Sequence, residues 1–198
     1  MSRAVFLDRD GVINRKAPEG HYVTCLKEFQ FLPEVAKAIR LLNRASFRVV
    51  VVSNQRCVAK GLITARTLDL IHRWMCRKLA ASGAKLDDVY YCPHDNQPTC
   101  KCRKPAPGML LTAAREHNID LAASWMIGDS NGDLEAGRSA GCKTARILNH
   151  EAVGEGSSDV FAYSLLDATQ QILMLETTPG RGLRRQFKFQ KPRAAFSS

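Results

Sequence analysis

The 198-residue sequence predicts an α/β protein built on a doubly wound parallel sheet. Three observations carry that reading. Short apolar runs alternate along the chain with stretches of helical periodicity. One run, "FRVVVVSN" (47–54), is β-branched through its middle, as a strand buried on both faces requires. The predicted strands also end on polar residues, Asp8, Asn54, Cys92 and Asp129, which a parallel sheet gathers along one edge.

Taken in order, "AVFLD" (4–8) reads as a short buried strand that ends on a carboxylate. "LPEVAKAIRLLNRAS" (32–46) places Val35, Ile39 and Leu42 at helical spacing, with Pro33 expected to open the helix. Residues 47–54 supply the second strand. "TARTLDLIHRWMCRKLAAS" (64–82) is a long amphipathic helix with Thr64 as its N-cap. "DDVYYC" (87–92) is a strand, "PGMLLTAAREHN" (107–118) a helix and "SWMIGD" (124–129) a strand. A helix over 131–141, closed by Gly141, leads to a strand over 143–149, and a last short strand and helix occupy 159–175. The regular alternation calls for parallel crossovers and hence a Rossmann-like sheet. The sequence shows no internal repeat.

A chain of this length holds one sizeable core. The apolar run near the N-terminus is too short for a secretory signal and no later run would span a membrane, so a cytoplasmic protein is expected. The net charge of +10 is unevenly spread: residues 177–198 hold six Arg and Lys and no acid, leaving 23 basic and 19 acidic residues elsewhere. A mildly basic body suits an enzyme for an anionic substrate, and nucleic acid is not the expected partner. Two regions follow, a domain over 1–176 and a basic, flexible extension over 177–198. Of the seven cysteines, 25, 57, 76 and 142 are scattered and read as small buried hydrophobes. Cys92, Cys100 and Cys102 cluster with His94. The histidines at 21, 72, 117 and 150 are not expected to be metal ligands, and Trp74 and Trp125 read as core.

Asp8 and Asp10 in "DRDGVIN" stand two residues apart at a strand end and can face the same side. Two such carboxylates repel, and a hard divalent cation such as Mg²⁺ relieves the repulsion. Gly11 lets the chain turn sharply with its backbone N–H groups open to an anion. "VVVVSNQ" brings Ser53 and Asn54 to the next strand end, "CRKP" supplies Lys104, and "MIGDSNGD" puts Asp129 at a further strand end with Asp133 one turn on. Each has a plain structural reading as a turn, a solvated loop or a helix cap. Four such readings, in this order and all at strand ends, do not hold together.

These four segments resemble the four motifs of the haloacid-dehalogenase superfamily of phosphotransferases. More closely, "FLDRDGVIN", "VVVVSNQ", "YYCPH…CKCRKPAPGML" and "MIGDSNGDLEAG" are similar to the D-glycero-D-manno-heptose-1,7-bisphosphate 7-phosphatase family, whose pattern the histidinol-phosphate phosphatases largely share. The resemblance runs over residues 4–175. It implies that Asp8 is a nucleophile forming an aspartyl-phosphate and that Asp10 is first acid, then base. It implies Mg²⁺ held by Asp8, Asp129 and the backbone carbonyl of Asp10, with Ser53 and Lys104 on the phosphoryl oxygens. Substrate would be bound by Gly11, Asn54, Gln55, Arg103 and the loop residues Glu19, Gly20, His21 and Tyr22. The sequence departs from the pattern at Ser130, often Lys in the family, and over "RCVAKG" (56–61), which bears on substrate identity. Only 42 residues separate Asp10 from Ser53, and 49 lie between Asn54 and Lys104, so a fold without a cap domain is expected.

Cys92, His94, Cys100 and Cys102 form C-x-H-x5-C-x-C. A disulfide or unconnected thiols are the alternatives, but the density and the resemblance favour a closed, structural Zn²⁺ site. The resulting expectation is a monomeric, Mg²⁺-dependent phosphatase with a zinc-binding loop, acting on a phosphorylated heptose in nucleotide-activated heptose and lipopolysaccharide biosynthesis. Histidinol phosphate is the nearest alternative substrate. A nucleic-acid 3′-phosphatase and a non-catalytic zinc module stand further off.

Overall fold

A computed structural model describes residues 1–96, 99–148 and 157–177. The apolar runs become strands and the periodic stretches become helices, in the expected order. They are β1 (Ala4–Leu7), α1 (Val35–Arg44), β2 (Arg48–Asn54), α2 (Ala65–Ala81), β3 (Asp88–Cys92), α3 (Gly108–His117), β4 (Trp125–Gly128), α4 (Asn131–Ala140), β5 (Lys143–Ile147), β6 (Val160–Ala162) and α5 (Leu165–Thr177). Neighbouring strands all pair in parallel, in the order β3-β2-β1-β4-β5-β6. The strand order reverses between β1 and β4, which makes the crevice above them the place for a ligand.

The period of two along each strand divides the interior into two cores. Val5 and Leu7 of β1, with Val49 and Val51 of β2, face α1, α2 and α5. Phe6 of β1, with Val50 and Val52 of β2, faces α3 and α4. Ile39, Leu42, Ile71, Met75 and Ile172 close the first layer, and Leu110, Ala113 and Ala136 the second. Each fully buried branched side chain stabilises the fold by about 1.5–3 kcal/mol relative to exposure.

Local chemistry sets the helix ends. Thr64 caps α2 as expected, its Oγ1 accepting from Thr67 N at 3.1 Å. Gly141 closes α4 at φ 88°, a left-handed conformation suited to glycine. Pro33 does not open α1: Glu34, at φ 59°, is the N-cap, so helical geometry begins only at Val35 and the proline lies one residue outside. Asp8 and Asp129 stand one residue beyond β1 and β4 rather than within them. Cys25 is exposed and Cys76 half-buried, so only Cys57 and Cys142 of the scattered four are buried. Trp125 is buried, whereas Trp74 is half-buried against Phe29 and Phe31. Asn149, His150 and the extension after Thr177 lie outside the described residues. Among the described residues, no helix is long and apolar enough to cross a membrane.

Gly137 marks a close contact between α4 and the sheet. A Cβ there would lie 2.6 Å from Met126 Cβ and 3.2 Å from Thr144 Cγ2. Gly137→Ala is therefore expected to lower the unfolding free energy by about 1–3 kcal/mol through overpacking. A urea midpoint unchanged from the parent would contradict this packing.

Candidate active site

The site begins where β1 and β4 end side by side. Leu7 pairs with Ile127, and Asp8 N donates to Ile127 O at 2.9 Å, so Asp8 and Asp129 emerge together. The chain then turns tightly, with Ile13 N and Asn14 N donating to Arg9 O at 2.8 and 3.1 Å. Gly11 sits in this turn at φ 94°, and a Cβ on it would lie 2.5 Å from Asp129 Oδ2. Glycine is therefore required there twice, for its conformation and for the space it leaves beside a carboxylate.

Lys104 arrives from the loop before α3 and is almost wholly buried. Its Nζ lies 2.7 Å from Asp8 Oδ1, 2.5 Å from Asp133 Oδ1 and 2.7 Å from Val52 O. Burial opposes the ammonium charge, but Asp133 and Asp8 outweigh it and raise the lysine pKa. Burial pushes Asp8 up to about 7, with Lys104 pulling the other way and Asp133, Asp10 and Asp129 adding to the rise. Asn54 fixes the lysine backbone, donating from Nδ2 to Lys104 O and accepting at Oδ1 from Lys104 N, both at 3.0 Å. Asp133 is also committed elsewhere: its Oδ2 accepts from Ser130 N and Oγ at 3.0 and 2.6 Å, forming the capping box of α4. Ser130, not Asp129, is the helix cap, so the structural reading of Asp129 falls away.

Asp10 is held by three side chains. Arg9 Nη2 donates to its two oxygens at 3.0 and 2.8 Å, Asn14 Nδ2 at 2.8 Å and Gln55 Nε2 at 3.0 Å. Burial would raise its pKa, but Arg9 and the hydrogen bonds from Asn14 and Gln55 lower it. Gln55 Nε2 also donates to Ser53 Oγ at 2.8 Å, which leaves the serine hydroxyl hydrogen to point at a ligand. His72 of α2 approaches Arg9 from behind; burial and the Arg9 charge push its pKa down to about 3, so the ring is neutral.

Asp8, Asp10, Ser53, Asn54, Gln55, Lys104 and Asp129 line a cavity of about 360 Å³ together with Glu19, Gly20, His21, Tyr22 and Arg103, whereas Asn14 and His72 stand behind its wall. Gly11 is not among its lining residues. The 56–61 segment does not line it either, but braces its wall: Lys60 Nζ lies 5.2 Å from the Tyr22 ring centroid and Arg56 pairs with Asp95.

Metals are implied at two places, and both residue sets fit them. Asp8, Asp129 and Asp133 offer carboxylate oxygens within 4.8 Å of one another, all three residues buried. Lys16 Nζ rests 2.8 Å from Asp129 Oδ2 although the lysine side chain is 56% exposed, so a cation already occupies the outer side of Asp129. With Asp133 spent on Lys104 and the cap, Asp8 and Asp129 are the natural oxygen ligands of a hard divalent ion. At the end of β3 and in the loop after it, the three sulfurs of Cys92, Cys100 and Cys102 stand 3.2–3.6 Å apart, and each lies 3.3–3.6 Å from His94 Nδ1. Six nearly equal edges describe a tetrahedron, close to the ~3.8 Å edge that ~2.3 Å zinc–sulfur bonds would give. None of the sulfur pairs approaches the ~2.05 Å of a disulfide.

The structure thus brings together every residue singled out in the sequence for catalysis and for the two metals. Arg9, Asn14, Lys16 and His72 were not singled out for the site. Asn14 lies within the quoted "DRDGVIN" and Arg9 between its two aspartates, but hydrogen-bonding partners of a carboxylate have no spacing rule. His72, not expected to be a metal ligand, is buried, with Arg9 as its neighbour.

A six-stranded parallel sheet with carboxylates at its switch point and a buried lysine opposite defines a phosphotransferase-type hydrolase of the haloacid-dehalogenase fold. A family model described as "HAD-hyrolase-like" matches residues 101–154. The chain is 42% identical to a D-glycero-beta-D-manno-heptose-1,7-bisphosphate 7-phosphatase of Rhodopseudomonas palustris, over 85% of this chain and 92% of the relative. It is 39% identical to the enzyme of that name from Yersinia pestis, over 85% and 94%. A solved structure, D,D-heptose 1,7-bisphosphate phosphatase from B. bronchiseptica complexed with magnesium and phosphate, superposes with a TM-score of 0.77 at 35% identity, covering 87% of this chain and 99% of that one. The chain belongs to the D-glycero-D-manno-heptose-1,7-bisphosphate 7-phosphatase family of the haloacid-dehalogenase superfamily.

Removing Lys104 would strand Asp8 and Asp133 as buried, uncompensated charges. Lys104→Met is expected to cost about 3–5 kcal/mol of stability in EDTA. Denaturant titration checks this, and a variant as stable as the parent would show that the ammonium does not hold the carboxylates.

Proposed function

We propose that the chain is a Mg²⁺-dependent phosphomonoesterase that removes the C7 phosphate of D-glycero-β-D-manno-heptose 1,7-bisphosphate. The observation that carries the chemistry is the meeting of Asp8, Asp10, Ser53, Lys104 and Asp129 in one cavity. The substrate is supported by the activity named for its relatives and by the basic residues Lys16 and Arg103 at the cavity wall, suited to a second phosphate. Residues 1–176 form the catalytic domain and 177–198 a basic C-terminal extension.

A carboxylate oxygen of Asp8 attacks phosphorus, forming the phosphoryl–aspartate as the bond from phosphorus to the C7 oxygen breaks. Asp10 donates a proton to that departing oxygen. A phosphate in the cavity adds negative charge beside Asp10 and so raises its proton affinity above that of the free protein. Asp10 then takes a proton from water, whose oxygen attacks phosphorus and releases Asp8. Ser53 donates to a phosphoryl oxygen, and Lys104 stabilises the charge that develops there. Asp8, Asp129 and the backbone carbonyl of Asp10 would hold Mg²⁺, which would screen the phosphate charge from the nucleophile. Asn54 and Gln55 position Lys104 and Ser53. Glu19, Gly20, His21 and Tyr22 bound the sugar, Gly11 keeps the turn open, and Arg103 reaches the distal phosphate.

Cys92, His94, Cys100 and Cys102 hold a structural Zn²⁺ that closes the loop immediately ahead of Arg103 and Lys104. Arg103 is oriented by that loop itself, its Nε donating to Asn96 Oδ1 at 2.8 Å and its Nη1 to His94 O at 3.3 Å.

The test is a comparison of kcat/KM for the two anomers of heptose 1,7-bisphosphate and for histidinol phosphate. The β anomer is expected to lead, and a preference for histidinol phosphate would overturn the substrate assignment. Asp8→Asn is expected to abolish turnover with folding and zinc content unchanged; surviving hydrolysis would refute the nucleophile. Cys100→Ser should bind less than one equivalent of zinc by elemental analysis and melt at lower temperature, whereas full zinc occupancy would count against this ligand set.

A further inference from the structure

We propose that His72 is a positioning residue for hydrolysis, holding the Arg9 guanidinium in the orientation that presents the Asp10 carboxylate to the leaving oxygen. This rests on the acid–base role assigned to Asp10 above. Arg9 is 1% exposed and His72 5%, so neither side chain can satisfy itself with bulk water. Arg9 Nη1 stands 3.2 Å from His72 Nε2. A guanidinium has only donors, so Nη1 donates and Nε2 must carry the lone pair, which places the imidazole hydrogen on Nδ1. The other terminal nitrogen, Nη2, makes both contacts to Asp10. The two ends of one rigid plane are thus fixed to different elements, the carboxylate after β1 and the ring on α2.

The surroundings restrict any other arrangement. The His72 ring lies 5.5 Å from that of Tyr91, whose hydroxyl donates to Asp69 Oδ1 at 3.2 Å. The Phe29 ring centroid is 5.9 Å from Arg9 Cζ. Without the acceptor at 72, a buried N–H loses its partner and the guanidinium plane is free to turn. Asn14 and Gln55 would still hold one Asp10 oxygen each, so the carboxylate would stay in place while the contact from Arg9 that spans both oxygens loosens. Misplacement of this kind lowers the chemical step more than substrate binding.

The test uses the full chain with Mg²⁺ and four variants: His72→Phe and His72→Leu, two non-acceptors of different shape, His72→Gln, whose Oε1 can accept, and Asp10→Asn. With heptose 1,7-bisphosphate, the two non-acceptors are expected to lower kcat about tenfold while KM stays within about twofold. His72→Gln should return kcat to within about threefold of the parent. First-turnover release of p-nitrophenol from p-nitrophenyl phosphate, a leaving group that needs no proton, should be unchanged in all three. If one non-acceptor fails to fold, as judged by melting, the other carries the comparison. Parental kcat in a folded non-acceptor overturns the assignment, as does an equal loss on both substrates that glutamine does not rescue. Asp10→Asn separates this failure from a larger one: if that variant keeps parental turnover, the acid–base reading itself falls.

Discussion

The ammonium of Lys104 is the point on which the site depends. A buried lysine costs several kcal/mol of desolvation unless opposite charge and hydrogen bonds surround it. Here Asp8, Asp133 and the Val52 carbonyl do so, each from a different element. The same contacts work in reverse, because the ammonium is the opposite charge that the buried Asp8 and Asp133 side chains meet in this crevice. One charge therefore joins the end of β1, the end of β2, the start of α4 and the loop before α3.

That loop is an improbable place from which to aim a buried charge, and two devices compensate. The Asn54 side chain binds the Lys104 backbone through both its amide atoms, extending the sheet edge by one side chain. The Cys–His tetrahedron ends at Cys102, two residues upstream. Gly108, at the start of α3, lets the helix approach the backbone at Lys101 and Cys102 so closely that a Cβ would collide with the Lys101 carbonyl. The four aspartates at the cavity then divide their tasks. Asp133 orients Lys104, Asp8 and Asp129 face the cavity as the proposed ligands of a divalent ion, and Asp10 stands apart under Arg9, Asn14 and Gln55.

Most of this was legible in the sequence because it follows from periodicity and strand ends. The β-branched run at 47–54 could only be an interior strand, and the acids at 8 and 129 had to lie together once both preceding strands were parallel neighbours. The Cys–His spacing was equally readable, since four soft ligands within eleven residues leave few arrangements. The opening of α1 was not: Pro33 is compatible with a first helical turn, and nothing local announces that Glu34 takes a left-handed conformation. Lys16 and His72 were hidden for a different reason. Their partners, Asp129 and Arg9, lie 113 and 63 residues away, and only the fold makes them neighbours.

If Asp8, kept beside Lys104, is the proposed nucleophile, it carries the phosphoryl group between substrate and water. Acid quench within a single turnover, using heptose 1,7-bisphosphate radiolabelled in the C7 phosphate, tests it most directly. Transient protein-bound phosphate is expected to map to the peptide containing Asp8 and to decay as inorganic phosphate appears. Release of phosphate with no protein-bound label at any time, or label on another residue, would contradict it.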